Sequence, residues 1–291
     1  MPRPGSVSNP GTQRLINGEA GAALDPGDRG LRYGDGVFET LAIVDGAPAL
    51  LEPHLERLEN GCLRLGFDAP SRPTFLADIG QLSLPRFGLL RLTCTRGPGG
   101  RGYQPPASPA VNRIVEVSEA PARPAAWWRD GVKVRHCATH LAVQPRLAGI
   151  KHLNRLEQVL ARAEWTDPEV AEGLMTTPDG RLVEATASNL IIDDGDKLIV
   201  PDTRNAGVDG IMQAALLDRA IVRGIRHEHR FIASRSVDSS LGVMLCNSLI
   251  GVWPVRSIDG RDARWPDRVR ELQAIVNEER LALSPEVLGT P

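Results

Sequence analysis

The sequence predicts a mixed α+β chain folded as two domains, and three observations carry that reading. At 291 residues the chain is long enough for two ordinary domains, each with its own core. Segments of strand character and segments of helical periodicity are interleaved in both halves, with neither a repeating βαβ pattern nor an internal repeat. Between the halves, residues 120–127, APARPAAW, hold two prolines and four alanines and show no hydrophobic periodicity, as a linker would. The expected division is a loose Pro-, Gly- and Ser-rich extension over 1–12, a smaller domain over 13–119, the linker over 120–127 and a larger domain over 128–291.

Each element has its own signal. VFETLAIVDGAPALL (37–51) reads as a hairpin, two β-rich runs around Asp45-Gly46. EPHLERLENGCLRLGF (52–67) follows as an amphipathic helix with His54, Leu55, Leu58, Cys62 and Leu65 along one side. RPTFLADIGQL predicts a short helix, FGLLRLTCTRG a strand, RGPGGRGYQPP a Gly-rich loop and NRIVEVSEA another strand. Beyond the linker, VKVRHCATHL reads as a strand and LAGIKHLNRLEQVLARAEW as a junction into a helix. EGLMTTPDGRLVEATASN and LIIDDGDKLIVP then give strands around polar turns. GIMQAALLDRAIVRG predicts a helix, IRHEHRFI a strand, GVMLCNSLIGVWPV a buried strand pair or a strand and turn, and DRVRELQAIVNEERLA a closing charged helix.

Composition excludes several function classes. An apolar fraction of 42% and a charged fraction of 24% are those of a soluble globular protein. A net charge of −2 gives no electrostatic reason to expect nucleic acid or an anionic membrane as partner. No apolar run reaches bilayer length and MPRPGSVSNPGTQ lacks the apolar core of a signal peptide, so the expected place is the cytoplasm. Cys62, Cys94, Cys137 and Cys246 have no metal-like spacing and read as reduced, mostly buried thiols. His136 and His140 have helical ligand spacing but lie in a strand-like segment, and His227 and His229 are flanked by basic residues, so no metal site is expected.

One residue type stands out. Of 34 basic residues only Lys133, Lys151 and Lys197 are lysines. An ε-amine, unlike a guanidinium, can lose its proton and attack a carbonyl. Lys133 alternates with Val132 and Val134 on the wet face of a strand, and Lys197 follows an Asp- and Gly-rich turn. Lys151 instead opens a run with Leu153, Leu156, Val159, Leu160 and Ala163 at helical spacing, at a strand-to-helix junction beside buried apolar positions. Taken alone, a solvated lysine at a helix start is the plainer reading.

If Lys151 forms a Schiff base with pyridoxal phosphate, three demands follow: a phosphate cradle, an acid partner for the ring nitrogen and an open face for substrate. NAGVDGIMQAALL offers a glycine-flanked turn feeding a helix, with Asp209 as its cap and the N–H groups of Ile211 and Met212 as free donors. Arg57 in PHLERL can add a bidentate phosphate contact. Glu184 in RLVEATASNLII stands among small residues that suit close approach to a flat ring. Each part also has a plainer explanation: a capped helix, a surface salt bridge, a strand's polar face.

The segments RYGDGVFET, PHLERL, TRGPGGRGY, LAGIKHLNRLEQV, EATASNL, GVDGIM and CNSLIGVWPV together resemble the fold-type IV pyridoxal phosphate enzymes, over residues 30–260 and in order. That group includes branched-chain and D-amino acid aminotransferases and 4-amino-4-deoxychorismate lyase, and GIKHLNRLEQ, the GGRGY loop and the CNSL segment are nearer to the lyase. The resemblance implies a two-domain fold of the D-amino acid aminotransferase type with the active site at the domain interface, and a homodimer. It implies Lys151 holding pyridoxal 5'-phosphate and moving protons, Glu184 on the ring nitrogen, and Arg57 with the backbone of Ile211 and Met212 on phosphate, Ser248 being a further donor. Arg101 and Tyr103 fall where relatives present substrate-carboxylate groups, often from the neighbouring subunit. Thr40 and Asn247 are weaker substrate-side candidates, a substrate with two carboxylates also suits Arg96 and Arg101 close together, and Asn154 could equally be structural. The implied reaction is cleavage of 4-amino-4-deoxychorismate to 4-aminobenzoate and pyruvate for folate synthesis, with Lys151 or Thr40 as proton donor to the leaving group. An aminotransferase acting on D- or branched-chain amino acids needs the same lysine, glutamate and phosphate contacts. A cofactor-free binding protein on this fold would be expected to have lost part of that set, which is present here.

Overall fold

The computed structural model describes residues 11–237 and 241–289; most of the expected N-terminal extension lies outside the described residues. A six-stranded sheet comes first, built from β1 (Gln13–Ile16), β2 (Glu19–Ala20), β3 (Gly36–Val44), β4 (Ala47–Pro48), β5 (Phe87–Thr95) and β6 (Asn112–Glu119) in the order β2-β1-β6-β5-β3-β4. Its pairs are all antiparallel. The Asp45-Gly46 hairpin forms as expected: Val44 pairs with Ala47 and both turn residues have positive φ, +50° and +80°. That geometry matches the twist of the flanking strands, which explains why so short a signal was sufficient.

Helices α1 (Arg29–Tyr33), α2 (Leu51–Leu65) and α3 (Arg72–Gly80) complete this half. The expected stripe of α2 is buried at His54, Leu55, Leu58 and Cys62 and packs with Val37, Leu41, Ile43, Phe75, Leu90, Leu92, Val115 and Val117. Period-2 alternation along β3 therefore sends Val37, Glu39 and Leu41 toward α2. Phe38 and Thr40 face the other way.

The second sheet contains β7 (Val132–His136), β8 (Val170–Thr176), β9 (Leu182–Ala185), β10 (Asn189–Asp193), β11 (Leu198–Pro201), β12 (His227–Arg230), β13 (Gly242–Asn247), β14 (Gly251–Ile258) and β15 (Arg261–Asp262). The order is β12-β11-β10-β13-β14-β7-β8-β9, with β15 on β14. Three pairs are parallel: β11 with β12, β7 with β14 and β7 with β8. The sheet curls on itself, since the N–H of Leu182 in β9 donates to the Ile232 carbonyl just past β12 at 2.9 Å. Helices α6 (Ile211–Val222) and α7 (Val269–Glu278) cover one face through Met212, Leu216, Leu272 and Ile275, and α8 (Pro285–Leu288) packs Val287 near Ala42 and Val44 of the first sheet.

Two expectations need correction. The Lys151 segment is not the start of a helix: α5 spans Leu156–Arg162, five residues later. Its apolar positions are not buried either, with Leu156, Val159 and Leu160 at 75%, 59% and 60% exposure. We assign residues 120–127 as the link between two domains, but its last residues already fold. Helix α4 (Ala126–Arg129) brings Trp127 and Trp128 edge-on to Trp253 at 4.8 and 5.3 Å. All four cysteines are buried free thiols, and no helix among the described residues is long and apolar enough to cross a membrane.

Candidate active site

Between the two sheets lies a cavity of about 650 Å³, walled by Phe38, Thr40 and Arg57 from the first half and by Lys151, Glu184, Ile211 and Ser248 from the second. Lys151 reaches it from an extended segment strung between the halves. On one side Phe38 N–H donates to the Lys151 carbonyl and Leu153 N–H to Gly36, both at 2.9 Å. On the other, Gly149 N–H donates to the Gly207 carbonyl at 2.9 Å and the Gly149 carbonyl accepts from Asp209 N–H at 3.0 Å. The backbone is thus fixed on both flanks, and Nζ stands 4.6 Å from the centroid of the Phe38 ring. Burial, then the Arg57 charge, lower the amine to about 8 from an ordinary lysine value. A neutral amine is accordingly accessible near physiological pH.

Glu184 is 5% exposed, at the end of β9. Burial pushes its carboxyl up; Arg155, the Val208 N–H and Lys151 counteract this without cancelling it. Val208 N–H donates to its Oε2 at 2.8 Å. Arg155 and Gln158 lie beside it on the cavity wall, and the Nη2 of Arg155 and the Oε1 of Gln158 are buried without a hydrogen-bond partner among the described residues. Such groups are costly to leave unpaired and mark a place built for a polar ligand. Neither was anticipated, although Arg155 and Gln158 are three apart in the quoted Lys151 segment and share a face at helical spacing.

The phosphate-side expectation needs one correction. Asp209 does not cap α6: its carboxylate bonds the Thr203 hydroxyl, and Gly210 occupies the cap position with no side-chain bond. The N–H groups at the start of α6, Ile211 and Met212, are therefore left uncapped at the cavity wall, with the positive end of the helix dipole. Gly210 is required by close approach: a Cβ there would stand 2.1 Å from Asn189 Oδ1, whose own Nδ2 donates to the Val208 carbonyl at 2.8 Å.

Arg57 stands at the same end, held by a bidentate pair with Glu39. Glu39 is 1% exposed; burial raises its carboxyl, but Arg57 and His54 outweigh that and hold it below the usual range. His54 Nδ1 contacts Glu39 Oε2 at 2.6 Å and its Nε2 contacts Ser248 Oγ at 3.0 Å. Burial lowers the His54 imidazole, favouring the neutral ring. Glu39 and His54 thus orient Arg57 and Ser248, a pair invisible in the sequence because its members lie 15 residues apart on a strand and a helix.

The substrate-side residues separate. Thr40 lines the cavity, two residues along β3 from Phe38. Asn247 lines it too, but its amide is fully committed: Nδ2 donates to Ala187 O and Ser188 Oγ, and Oδ1 accepts from the N–H groups of Leu249 and Ile250. Its geometry is that of a turn former. Arg96 is not on the cavity: it is 4% exposed, paired with Asp35, bonded to the carbonyls of Leu65 and Gly66, and stacked on Phe67. These contacts remove it from the substrate candidates. Asn154 donates to the Gly34 carbonyl at 3.0 Å, a structural tie to α1. Arg101 and Tyr103 are exposed and do not line this cavity either. Their loop is held by Arg29, whose guanidinium donates to the carbonyls of Gly102, Tyr103 and Gln104.

Residues 36–258 match the family model described as Amino-transferase class IV, which spans most of the chain. The chain belongs to the class IV aminotransferase family. Among curated members, an aminodeoxychorismate lyase from Vibrio harveyi is 34% identical over 247 residues, covering 84% of this chain and 90% of that protein. A bifunctional aminodeoxychorismate lyase and D-amino acid transaminase from Mycobacterium tuberculosis is 28% identical, covering 78% and 83%. A crystal structure of 4-amino-4-deoxychorismate lyase from Pseudomonas aeruginosa superposes with a TM-score of 0.86 at 44% identity, covering 91% of this chain and 98% of that one.

Pyridoxal 5'-phosphate is the cofactor of the family, and the residues here fit it. A depressed lysine amine, a buried carboxylate with spare acceptor capacity, an uncapped helix start beside an arginine, and two orphaned polar atoms surround one cavity.

Proposed function

We propose that this class IV enzyme is a lyase that converts 4-amino-4-deoxychorismate to 4-aminobenzoate and pyruvate, in the cytoplasm and in the service of folate synthesis. The likeness to the Pseudomonas aeruginosa lyase over nine-tenths of the chain is the observation that supports it most. The cavity residues suit the roles this demands. Lys151 is the attachment point for the cofactor aldehyde and, once its amine is free and neutral, the base that removes the proton at C4 of the substrate. Glu184 holds the ring nitrogen in its protonated form. Arg57 and the N–H groups of Ile211 and Met212 bind the phosphate, with Ser248 oriented toward it by His54. Bound there, pyridoxal phosphate supplies an electron sink for the charge left at C4.

Breaking the C3–O bond then releases the enolpyruvyl group and makes the ring aromatic, which drives the step. The protein's task is therefore to align the C4–H bond and deliver one proton to the departing group. Two groups on the wall can do so, Lys151 after it has taken the C4 proton and the Thr40 hydroxyl. The test is product detection with the cofactor-loaded protein and 4-amino-4-deoxychorismate. Equal amounts of 4-aminobenzoate and pyruvate are expected. Amino transfer from D-alanine or leucine to 2-oxoglutarate with neither product would instead make the chain an aminotransferase.

The active form in this reading is a homodimer in which Arg101 of the partner subunit completes each site. Two observations support it: the Gly-rich loop stands off its own cavity, and exposed Leu156, Val159 and Leu160 form an apolar face on the helix that lines it. Arg101→Ala and Lys151→Ala homodimers are each expected to lose at least about nine-tenths of activity. Co-refolded in equal amounts they should recover about a quarter of it, because half the dimers are mixed and each mixed dimer has one intact site. A mixture no more active than its components would exclude a loop that serves the neighbouring site.

A further inference from the structure

Five cations line the cavity: Arg57, Arg123, Lys151, Arg155 and Arg162. Four have an assignment. Arg57 is paired with Glu39, Lys151 is the reactive amine, and Arg155 adjoins Glu184. Arg162 donates to the Trp165 carbonyl and lies over the Trp165 ring at 4.6 Å. Arg123 differs. It belongs to the segment joining the halves, and among the described residues its guanidinium has neither a hydrogen bond nor an ion pair. It lies over the indole of Trp253, 5.2 Å from the ring centroid, an arrangement that holds a guanidinium flat while leaving its edge donors free.

A second observation comes from the surface under it. Trp253 is 1% exposed, lines the same cavity, and its Nε1–H is buried without a partner among the described residues. Tryptophan N–H groups normally find an acceptor when buried. Trp127 and Trp128 pack edge-on against the ring and fix its plane. The nearby acid is Glu172, but its carboxylate accepts from the Thr186 and Ser188 hydroxyls and the Ala187 N–H. Its oxygens are thus committed to the turn between β9 and β10, and its charge acts on the arginine without a hydrogen bond.

We infer that Arg123, on its Trp253 platform, binds a carboxylate of the substrate at the linker end of the cavity. This rests on the lyase reading, whose substrate carries two carboxylates. An amino acid with a single carboxylate has no need of a cation here beyond the one that Arg101 of the partner subunit provides. Arg123 thereby selects for the dicarboxylate, and it couples the segment between the two halves to an occupied site.

The experiment is steady-state kinetics on cofactor-loaded wild type, Arg123→Met and Arg123→Lys with 4-amino-4-deoxychorismate, alongside the visible cofactor spectrum and the melting temperature. Loss of a charged hydrogen bond to substrate predicts a KM at least about tenfold higher in Arg123→Met, with kcat within about threefold. Arg123→Lys should fall between, and neither the spectrum nor the melting temperature should move. An unchanged KM in Arg123→Met, with an active wild type, overturns the inference and leaves the lyase reading intact. So does a joint collapse of KM, kcat and cofactor spectrum, which would mark Arg123 as structural. A wild type that releases no 4-aminobenzoate overturns both.

Discussion

On the lyase reading, Lys151→Ala is expected to lower the rate of 4-aminobenzoate release by at least about a thousandfold, since it removes the residue proposed as both covalent anchor and base. The phosphate contacts are untouched, so the variant should still take up cofactor, without the visible absorption of a lysine-bound form. The same variant carries a second signature in the cofactor-free protein. Because burial and Arg57 lower the folded-state amine to about 8, against 10.5 for a free lysine, the unfolded chain binds more protons between those values. Stability should therefore rise with pH across that window, by at most about 3 kcal/mol from this group. Below pH 8 both states hold the proton and the burial penalty is fully felt. Urea midpoints at pH 7.5 and 9.5 should diverge in the wild type and converge in Lys151→Ala. Equal differences in the two proteins would mean that the amine is solvated in the folded state and not primed as a base.

How much of this was legible in the sequence depended on how local each determinant is. The Asp45-Gly46 hairpin and the buried stripe of α2 follow from neighbouring residues, and both formed where expected. Lys151 stood out because arginine holds almost every other cationic position. Its setting was not legible: apolar residues at helical spacing imply a buried helix face, yet Leu156, Val159 and Leu160 are exposed and Lys151 sits in extended chain ahead of the helix. Spacing reports which residues share a face, not what that face meets. Glycine flanks and Asp209 suggested a capped helix, whereas the aspartate turns to Thr203 and leaves the helix start open, which favours a phosphate site more strongly than the cap would have. Arg96 looked like a substrate arginine by proximity to the Gly-rich loop. Burial against Asp35 and Phe67, both distant in sequence, decided otherwise. The Glu39–His54–Ser248 chain and the Arg123–Trp253 contact were beyond reach for the same reason: each joins residues from segments far apart in the chain that only the fold brings together.

Glu184→Gln should separate activity from stability. The substitution keeps the shape of the side chain, and the amide oxygen can still accept the Val208 N–H, so packing at the end of β9 is preserved. What is lost is the charge that, on the proposed reading, would keep the cofactor ring nitrogen protonated. Without that charge, removal of the C4 proton by Lys151 would be slower. A fall in kcat of about 10²–10³ is expected, the range of a charge that acts mainly in the transition state, with KM changed little. Stability should move the other way or not at all. A carboxylate buried to this degree, raised by desolvation and only partly offset by Arg155 and Lys151, is a net cost to the cofactor-free fold. Glu184→Ala is the contrast, because it leaves the Val208 N–H without an acceptor and should cost about 1–3 kcal/mol. A Glu184→Gln protein that keeps more than a third of wild-type kcat would remove Glu184 from the ring nitrogen. One that unfolds as readily as Glu184→Ala would show that the buried charge serves the fold. An inactive but undiminished fold is the outcome expected of a carboxylate kept for its chemistry against the cost of burying it.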